Sequence, residues 1–181
     1  ACHVPSYLSK YDVLAGIKQN GTLLLNSLWD EKETLARIPD HVKSVIGKKN
    51  ISLYIINATK IAAEIGLGGR TNTILQSAFF KITNIIPYED AVTYMKQAIL
   101  KSYGKKGENV VNMNYAAVDR GGEYIKVEIP ADWKDITAKF ENPNKDRLAP
   151  SFVKEIADEV NAQCGDRLPV SKFMDIADGT M

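Results

Sequence analysis

The sequence predicts an α/β fold, a three-layer α/β/α arrangement with helices on both faces of a largely parallel or mixed sheet. Three observations carry this. Two apolar runs, Thr22-Leu23-Leu24-Leu25 and Ile51 to Ile56, have the length and composition of buried strands. The residues between them, Trp29 to Lys49, read as helical, and strand–helix–strand implies a parallel crossover. Each run also ends in small polar residues, Asn26-Ser27 and Asn57-Ala58-Thr59. The carboxyl edge of an open α/β sheet is where ligands bind. Asn, Ser and Thr also close strands for turn reasons alone, and spacing does not separate the two accounts.

In chain order, Ala1-Cys2-His3-Val4 reads as the tail of a strand. Pro5 and Ser6 open a short helix carrying Tyr7, Leu8, Tyr11, Val13 and Leu14. Lys18 to Gly21 form a turn before the first apolar run. Trp29, Leu35 and Ile38 share a helical side, and a second, polar helix runs from His41 to Ile46 after Pro39, with His41 solvated. After the second run comes a short amphipathic helix, Lys60 to Ile65. Gly66-Leu67-Gly68-Gly69 stops it, because glycine adopts the left-handed conformations that a helix end needs. A new helix starts near Thr71 to Thr73, where Thr73 and Gln76 fit a capping box.

Arg70, Thr71 and Asn72 therefore sit at a helix N-terminus beside a glycine loop. Free amides, a partial positive charge and an arginine suit an anion; the same residues also suit a well-capped helix that binds only water. A Rossmann reading fails, since these glycines follow a helix and lack the G-x-G-x-x-G spacing.

Pro87 opens a long helix, Tyr88 to Tyr103, with acidic Glu89 and Asp90 at its positive end and Ala91, Met95, Ala98, Ile99 and Ser102 facing inward. Glu108 to Arg120 form the next, with Val110, Met113, Tyr115, Ala117 and Val118 in its apolar stripe. Ile125 to Ile129 alternate like an edge strand. Asn142 to Asp146 read as a polar linker, Ser151 to Gln163 as an amphipathic helix with Phe152, Ile156 and Val160 in register, and Leu168 to Met181 as irregular.

The 181 residues suffice for one medium domain. A net charge of +1 gives no reason to expect nucleic acid or an anionic membrane. No apolar run approaches the ~20 residues of a membrane helix, and no secretory signal is visible. The two cysteines, Cys2 and Cys164, lie far apart, too few for an iron–sulfur cluster or a paired zinc site, and read as free thiols in a cytoplasmic protein. No metal site is expected. The formal sequons at Asn20, Asn50 and Asn57 read as turn chemistry.

The segment Gly66-Leu67-Gly68-Gly69-Arg70-Thr71-Asn72-Thr73-Ile74-Leu75-Gln76-Ser77-Ala78-Phe79-Phe80-Lys81-Ile82 resembles the pyruvate:ferredoxin (flavodoxin) oxidoreductases. So do Ala1-Cys2-His3, Lys10-Tyr11-Asp12-Val13-Leu14, Gly21 to Ser27, Tyr88-Glu89-Asp90-Ala91, Tyr103 to Gly107 and Gly165 to Ser171, all in family order. The resemblance implies a parent enzyme, itself a homo-oligomer, that oxidatively decarboxylates pyruvate with thiamine diphosphate. Electrons pass through iron–sulfur clusters to ferredoxin or flavodoxin, and the acetyl group passes to coenzyme A. It implies that residues 1–138 are the later part of a gamma-type α/β domain, incomplete by itself and with an exposed strand edge. Residues 139–181 begin the connecting segment before the cluster domain.

On this view the chain holds no cofactor, has no catalytic residue and is inactive alone. Its share is to bind or position coenzyme A, through Asn57, Thr59, Arg70 and Asn72. A stand-alone nucleotide-binding module and a structural spacer are the alternatives.

Overall fold

The computed structural model describes residues 1–141 and 148–176. Strands β1 (Thr22–Asn26) and β2 (Ser52–Ile56) pair in parallel, from Thr22 opposite Ser52 to Asn26 opposite Ile56. The connection between them carries α2 (Glu31–Arg37) and α3 (Asp40–Lys48). Strand β3 (Ile125–Val127) lies antiparallel on the far side of β2, so the sheet is mixed, in the order β1-β2-β3. Asn20 and Asn50 take left-handed backbone just before β1 and β2, and the Asn50 amide donates to the Asn20 side-chain oxygen at 2.8 Å. The expected turn chemistry at these two positions is what the structure shows.

Period-two alternation divides the core between the sheet's faces. Leu23, Leu25, Leu53, Ile55 and Val127 bury one face against Leu8, Leu14, Val42, Ile46 and Trp133. Leu24, Tyr54 and Ile56 meet the other face's helices through Ile61, Ile74, Leu75 and Ala117. Those helices are α4 (Ala58–Glu64), α5 (Asn72–Thr83) and α7 (Glu108–Arg120). Helix α6 (Tyr88–Tyr103) packs outside them, with Met95 and Ile99 against Val111 and Val118. The three-layer α/β/α reading holds.

Two close approaches fix the layers. A Cβ on Gly47 would lie 2.4 Å from the Trp133 carbonyl carbon, so α3 abuts the 3-10 turn Ala131–Asp135 with no room for a side chain. Gly47→Ala is expected to cost about 1–3 kcal/mol through overpacking, read as a lower urea midpoint at unchanged slope. On the opposite face, a Cβ on Gly121 would lie 2.4 Å from that of Ser77. The buried Ser77 hydroxyl lies 2.6 Å from the Val118 carbonyl, to which it donates, and 3.0 Å from the Tyr88 hydroxyl, tying α5, α6 and α7 together.

Several local expectations are corrected. The first helix, α1, covers only Tyr7–Lys10, because Tyr11 turns extended and sends Asp12 to Gly16 into turns. Helix α4 starts two residues before Lys60, since the Asn57 side-chain oxygen caps it by accepting the Lys60 N–H at 2.9 Å. The Thr73–Gln76 capping box does not form: Thr71 is the cap and Thr73 already lies inside α5. On α6, Ala98 and Ser102 face solvent, because only a narrow stripe meets α7. On α7, Ala117 and Val118 are buried as expected, joined by Val111 and Asn114, while Val110, Met113 and Tyr115 are only partly buried.

The edge strand ends at Val127, short of Ile129. The last helix is interrupted by a π-helical turn at Val153–Ala157, with Ile156 buried and Val160 exposed. Its final α-helical part, α8, is Asp158–Asn161. The tail forms a 3-10 turn at Val170–Ile176. His41 is only partly exposed; its Nε2 is buried without a hydrogen-bond partner among the described residues, and its ring meets Phe140 edge-on at 5.3 Å. The Asn142–Asp146 linker and residues 177–181 lie outside the described residues.

Candidate functional site

The carboxyl edge of β1 and β2 is organised by Asn26, which is 6% exposed. Its side-chain oxygen accepts the N–H of Ala58 at 3.0 Å, and its amide donates to the His3 carbonyl at 3.1 Å and to the Thr59 hydroxyl at 3.2 Å. One side chain thus ties the chain's first residues, β1 and the start of α4. Ser27, beside it, shares a 2.7 Å hydrogen bond with Thr34 on α2 and accepts the Trp29 N–H. Asn57 caps α4 and its amide reaches the Leu28 carbonyl at 3.5 Å. The polar strand ends therefore satisfy local backbone groups in a closed network.

Arg70 and Asn72 lie at the other end of α4, about 10 Å away along the helix axis at 1.5 Å per residue. Here the groups are free. Among the described residues the Arg70 guanidinium and the Asn72 side chain have no hydrogen-bond or ion-pair partner, and both are exposed. Thr71 provides no side-chain cap, so the first-turn amides of α5 point outward unsatisfied by the helix. Gly68, with φ of +61°, and Gly69 have nothing within 4 Å of a would-be Cβ, which leaves open space beside the cation. Cation, amide donors, helix dipole and room together suit a phosphate. The structure thus places Asn57 and Thr59 at the start of α4, each hydrogen-bonded locally, and Arg70 and Asn72 beyond its far end, both without a side-chain partner among the described residues.

The base of the Arg70 loop is held by Arg120. From the end of α7 it donates to both Glu123 carboxylate oxygens, at 2.6 and 2.8 Å, and to Glu64 at the end of α4, at 2.8 Å. The guanidinium holds the Glu123 carboxyl below its ordinary range. A lowered carboxylate stabilises the fold above its ordinary pKa, and that contribution is lost as pH falls through the folded-state value. The side chains are half exposed, so Arg120→Ala is expected to cost under about 1 kcal/mol at neutral pH. Urea unfolding should show that difference shrinking as the solution is acidified.

The match to known sequences is direct. The profile described as pyruvate ferredoxin/flavodoxin oxidoreductase matches residues 1–124, more than half of the chain. The chain belongs to the pyruvate ferredoxin/flavodoxin oxidoreductase family. A second profile, described only as a domain of unknown function, matches residues 138–181. The pyruvate:ferredoxin oxidoreductase of Moorella thermoacetica is 47% identical over 174 residues, 96% of this chain and 15% of that protein. The pyruvate-flavodoxin oxidoreductase of Enterobacter agglomerans is 47% identical over 181 residues, 99% of this chain and again 15% of its own length. This chain therefore spans about 15% of the relatives it matches. In fold it is similar to the crystal structure of pyruvate oxidoreductase subunit PORC from Thermotoga maritima. The TM-score is 0.54 at 23% identity, over 69% of this chain and 62% of that one.

All four candidate residues, together with Asn26, fall inside the oxidoreductase family match. The organising role of Asn26 escaped the sequence reading, which saw it only as a strand end. The signal was its position: a polar residue closing an apolar run has no water to turn to if the next element packs over it. Ser77 left no such signal, since its partners come from other helices, and neither did the reach of Arg120 to Glu64 on α4. Among the described residues no three His, Cys, Asp or Glu gather as metal ligands, and no helix is long and apolar enough to cross a membrane.

Proposed function

We propose that this chain is a segment of a pyruvate:ferredoxin/flavodoxin oxidoreductase, an enzyme that oxidatively decarboxylates pyruvate to acetyl-CoA. We further propose that the segment binds or positions coenzyme A and is not catalytic alone. The first part is supported by the family match and the names of the full-length relatives. The second is supported by one observation above all, the unpaired Arg70 beside the uncapped N-terminus of α5. Coenzyme A carries a diphosphate and a 3′-phosphate, the groups that such a terminus recognises. Asn72 adds a free amide at the same place. Thr59, bonded to Asn26, and Asn57, the cap of α4, form the second part of the proposed contact. Positioning by binding contributes to rate without any reacting side chain.

Residues 1–138 serve as the later part of the gamma-type domain and residues 139–181 as the start of the connecting segment. Thiamine diphosphate and the iron–sulfur clusters belong to the rest of the parent; two cysteines far apart in sequence cannot supply four thiolates. The parent acts in the cytoplasm as a homo-oligomer and passes electrons to ferredoxin or flavodoxin. The family match does not favour the stand-alone nucleotide-binding module or the spacer.

The test is steady-state reduction of ferredoxin and flavodoxin by the full-length polypeptide. It is expected to require both pyruvate and coenzyme A and to release acetyl-CoA. Reduction that ignores pyruvate would overturn the reading.

A further inference from the structure

Three glycines precede Arg70, yet the loop they form is anchored at its middle. Helix α4 ends in a Schellman arrangement. The Leu67 N–H donates to the Ala62 carbonyl at 2.8 Å and the Gly66 N–H to the Ala63 carbonyl at 3.2 Å, with Gly66 left-handed at φ of +82°. This motif turns the side chain after the glycine back onto the helix. Leu67 is accordingly only 6% exposed, although Gly66, Gly68 and Gly69 around it are exposed. It joins the apolar cluster of Ile61, Ala62, Ile74, Leu75 and Ala117. A second turn follows at once. The Arg70 N–H donates to the Leu67 carbonyl at 3.3 Å, and Gly68 inside that turn has φ of +61°. Only Gly68 and Gly69 separate the buried side chain from the exposed guanidinium. Helix α7 closes the inner side of the loop, where the Met113 sulfur would lie 3.0 Å from a Cβ on Gly66.

We propose that Leu67 is a positioning residue for coenzyme A. Its burial, with the left-handed turns at Gly66 and Gly68, holds Arg70 at the N-terminus of α5 before the ligand arrives. This rests on the coenzyme A reading of Arg70 given above. Leu67 is covered by its own core, so it acts through Arg70 and not by touching the ligand. The physical reason is entropic. A cation on a free glycine loop must be ordered when the ligand binds, and that ordering subtracts from affinity. A loop anchored two residues before the cation is ordered when the chain folds.

The test is steady-state kinetics of the full-length enzyme with coenzyme A as the varied substrate. Leu67→Ala is expected to raise the KM for coenzyme A about fivefold or more, because the loop loses its anchor. The turnover number at saturating coenzyme A and the KM for pyruvate should stay within about twofold of the parent, because Leu67 touches no reacting group. Leu67→Met keeps the volume and should restore the parent KM. In an Arg70→Ala background, Leu67→Ala should add no more than about twofold, since the two residues act as one unit.

A Leu67→Ala effect that persists in the Arg70→Ala background, or a turnover number that falls with it, would overturn the positioning role. So would an unchanged KM in Leu67→Ala when Arg70→Ala raises it. An unchanged KM in Arg70→Ala itself would instead remove the coenzyme A reading and this proposal with it. Hydrogen exchange on the ligand-free parent adds a measurement that needs no variant. The Leu67 amide is expected to exchange within about tenfold of the Ile65 amide, which bonds to Ile61 inside α4. Exchange about 100-fold faster at Leu67 would show a free loop and contradict the anchor.

Discussion

Asn26→Leu is expected to destabilise the fold by about 2–3 kcal/mol and to fray α4 from its first turn. The substitution keeps the branched heavy-atom skeleton and removes three hydrogen bonds. Thr59 is partly exposed and His3 is exposed, so their freed groups can turn to water. Ala58 is fully buried, and its N–H is left without an acceptor. Stranding one buried donor costs about 1–3 kcal/mol, and the lost bonds add to that. Against a typical total of about 5–15 kcal/mol this is a large fraction.

Asn26→Asp separates the two halves of the side chain. It keeps the acceptor for Ala58 but replaces both donors with an acceptor facing the His3 carbonyl. Burial and that carbonyl oppose the charged form, so the folded-state pKa of the new carboxyl is raised. Stability is then lost as pH rises through the ordinary aspartate range, and the variant's deficit is smaller in acid than at neutral pH. Urea unfolding of both variants across pH, with hydrogen exchange in α4, checks the pair. A deficit for Asn26→Leu below about 0.5 kcal/mol would remove Asn26 from its organising role.

Arg70→Ala in the full-length oxidoreductase is expected to raise the KM for coenzyme A by about 10–100-fold. A charge-assisted hydrogen bond to phosphate contributes about 1.5–3 kcal/mol, and each 1.4 kcal/mol is tenfold. The turnover number at saturating coenzyme A should stay near that of the parent, because Arg70 acts by binding. The visible absorption of the iron–sulfur clusters should not change. Arg70→Lys should recover part of the affinity, since a point charge replaces a planar fork. Dephospho-coenzyme A reports which phosphate is held. If Arg70 meets the 3′-phosphate, the parent discriminates between the two ligands and Arg70→Ala does not. A KM unchanged within twofold would take Arg70 out of the site. Folding is not at issue, because Arg70 is exposed and makes no contact that its removal would strand.

These two residues mark what the sequence made legible. The crossover between β1 and β2 was readable because two apolar runs flanked a helical stretch, α6 from Pro87 and its acidic first turn, and α7 from its apolar stripe. The Arg70 loop was readable because glycine placement is a local property of the backbone. The edge strand β3 was readable from its alternation, but its antiparallel pairing with β2 was not: three residues with no hairpin signal carry no direction. Thr73–Gln76 satisfied the capping-box pattern, yet Thr71 took the cap because the chain entered the helix two residues earlier. His41 looked solvated because the residue that covers it, Phe140, is about a hundred positions away in sequence. The close approaches at Gly47 and Gly121 were not readable, since the backbone and side chain they admit come from distant segments.

Coenzyme A is expected to be met at the N-terminus of α5. Hydrogen exchange on the full-length enzyme, with and without saturating coenzyme A, tests it most directly. The amides of Asn72, Thr73 and Ile74 are expected to slow at least tenfold on adding coenzyme A, and Arg70→Ala to abolish the effect at the same ligand concentration. Coenzyme A that binds and supports turnover while leaving these three amides unchanged would contradict it.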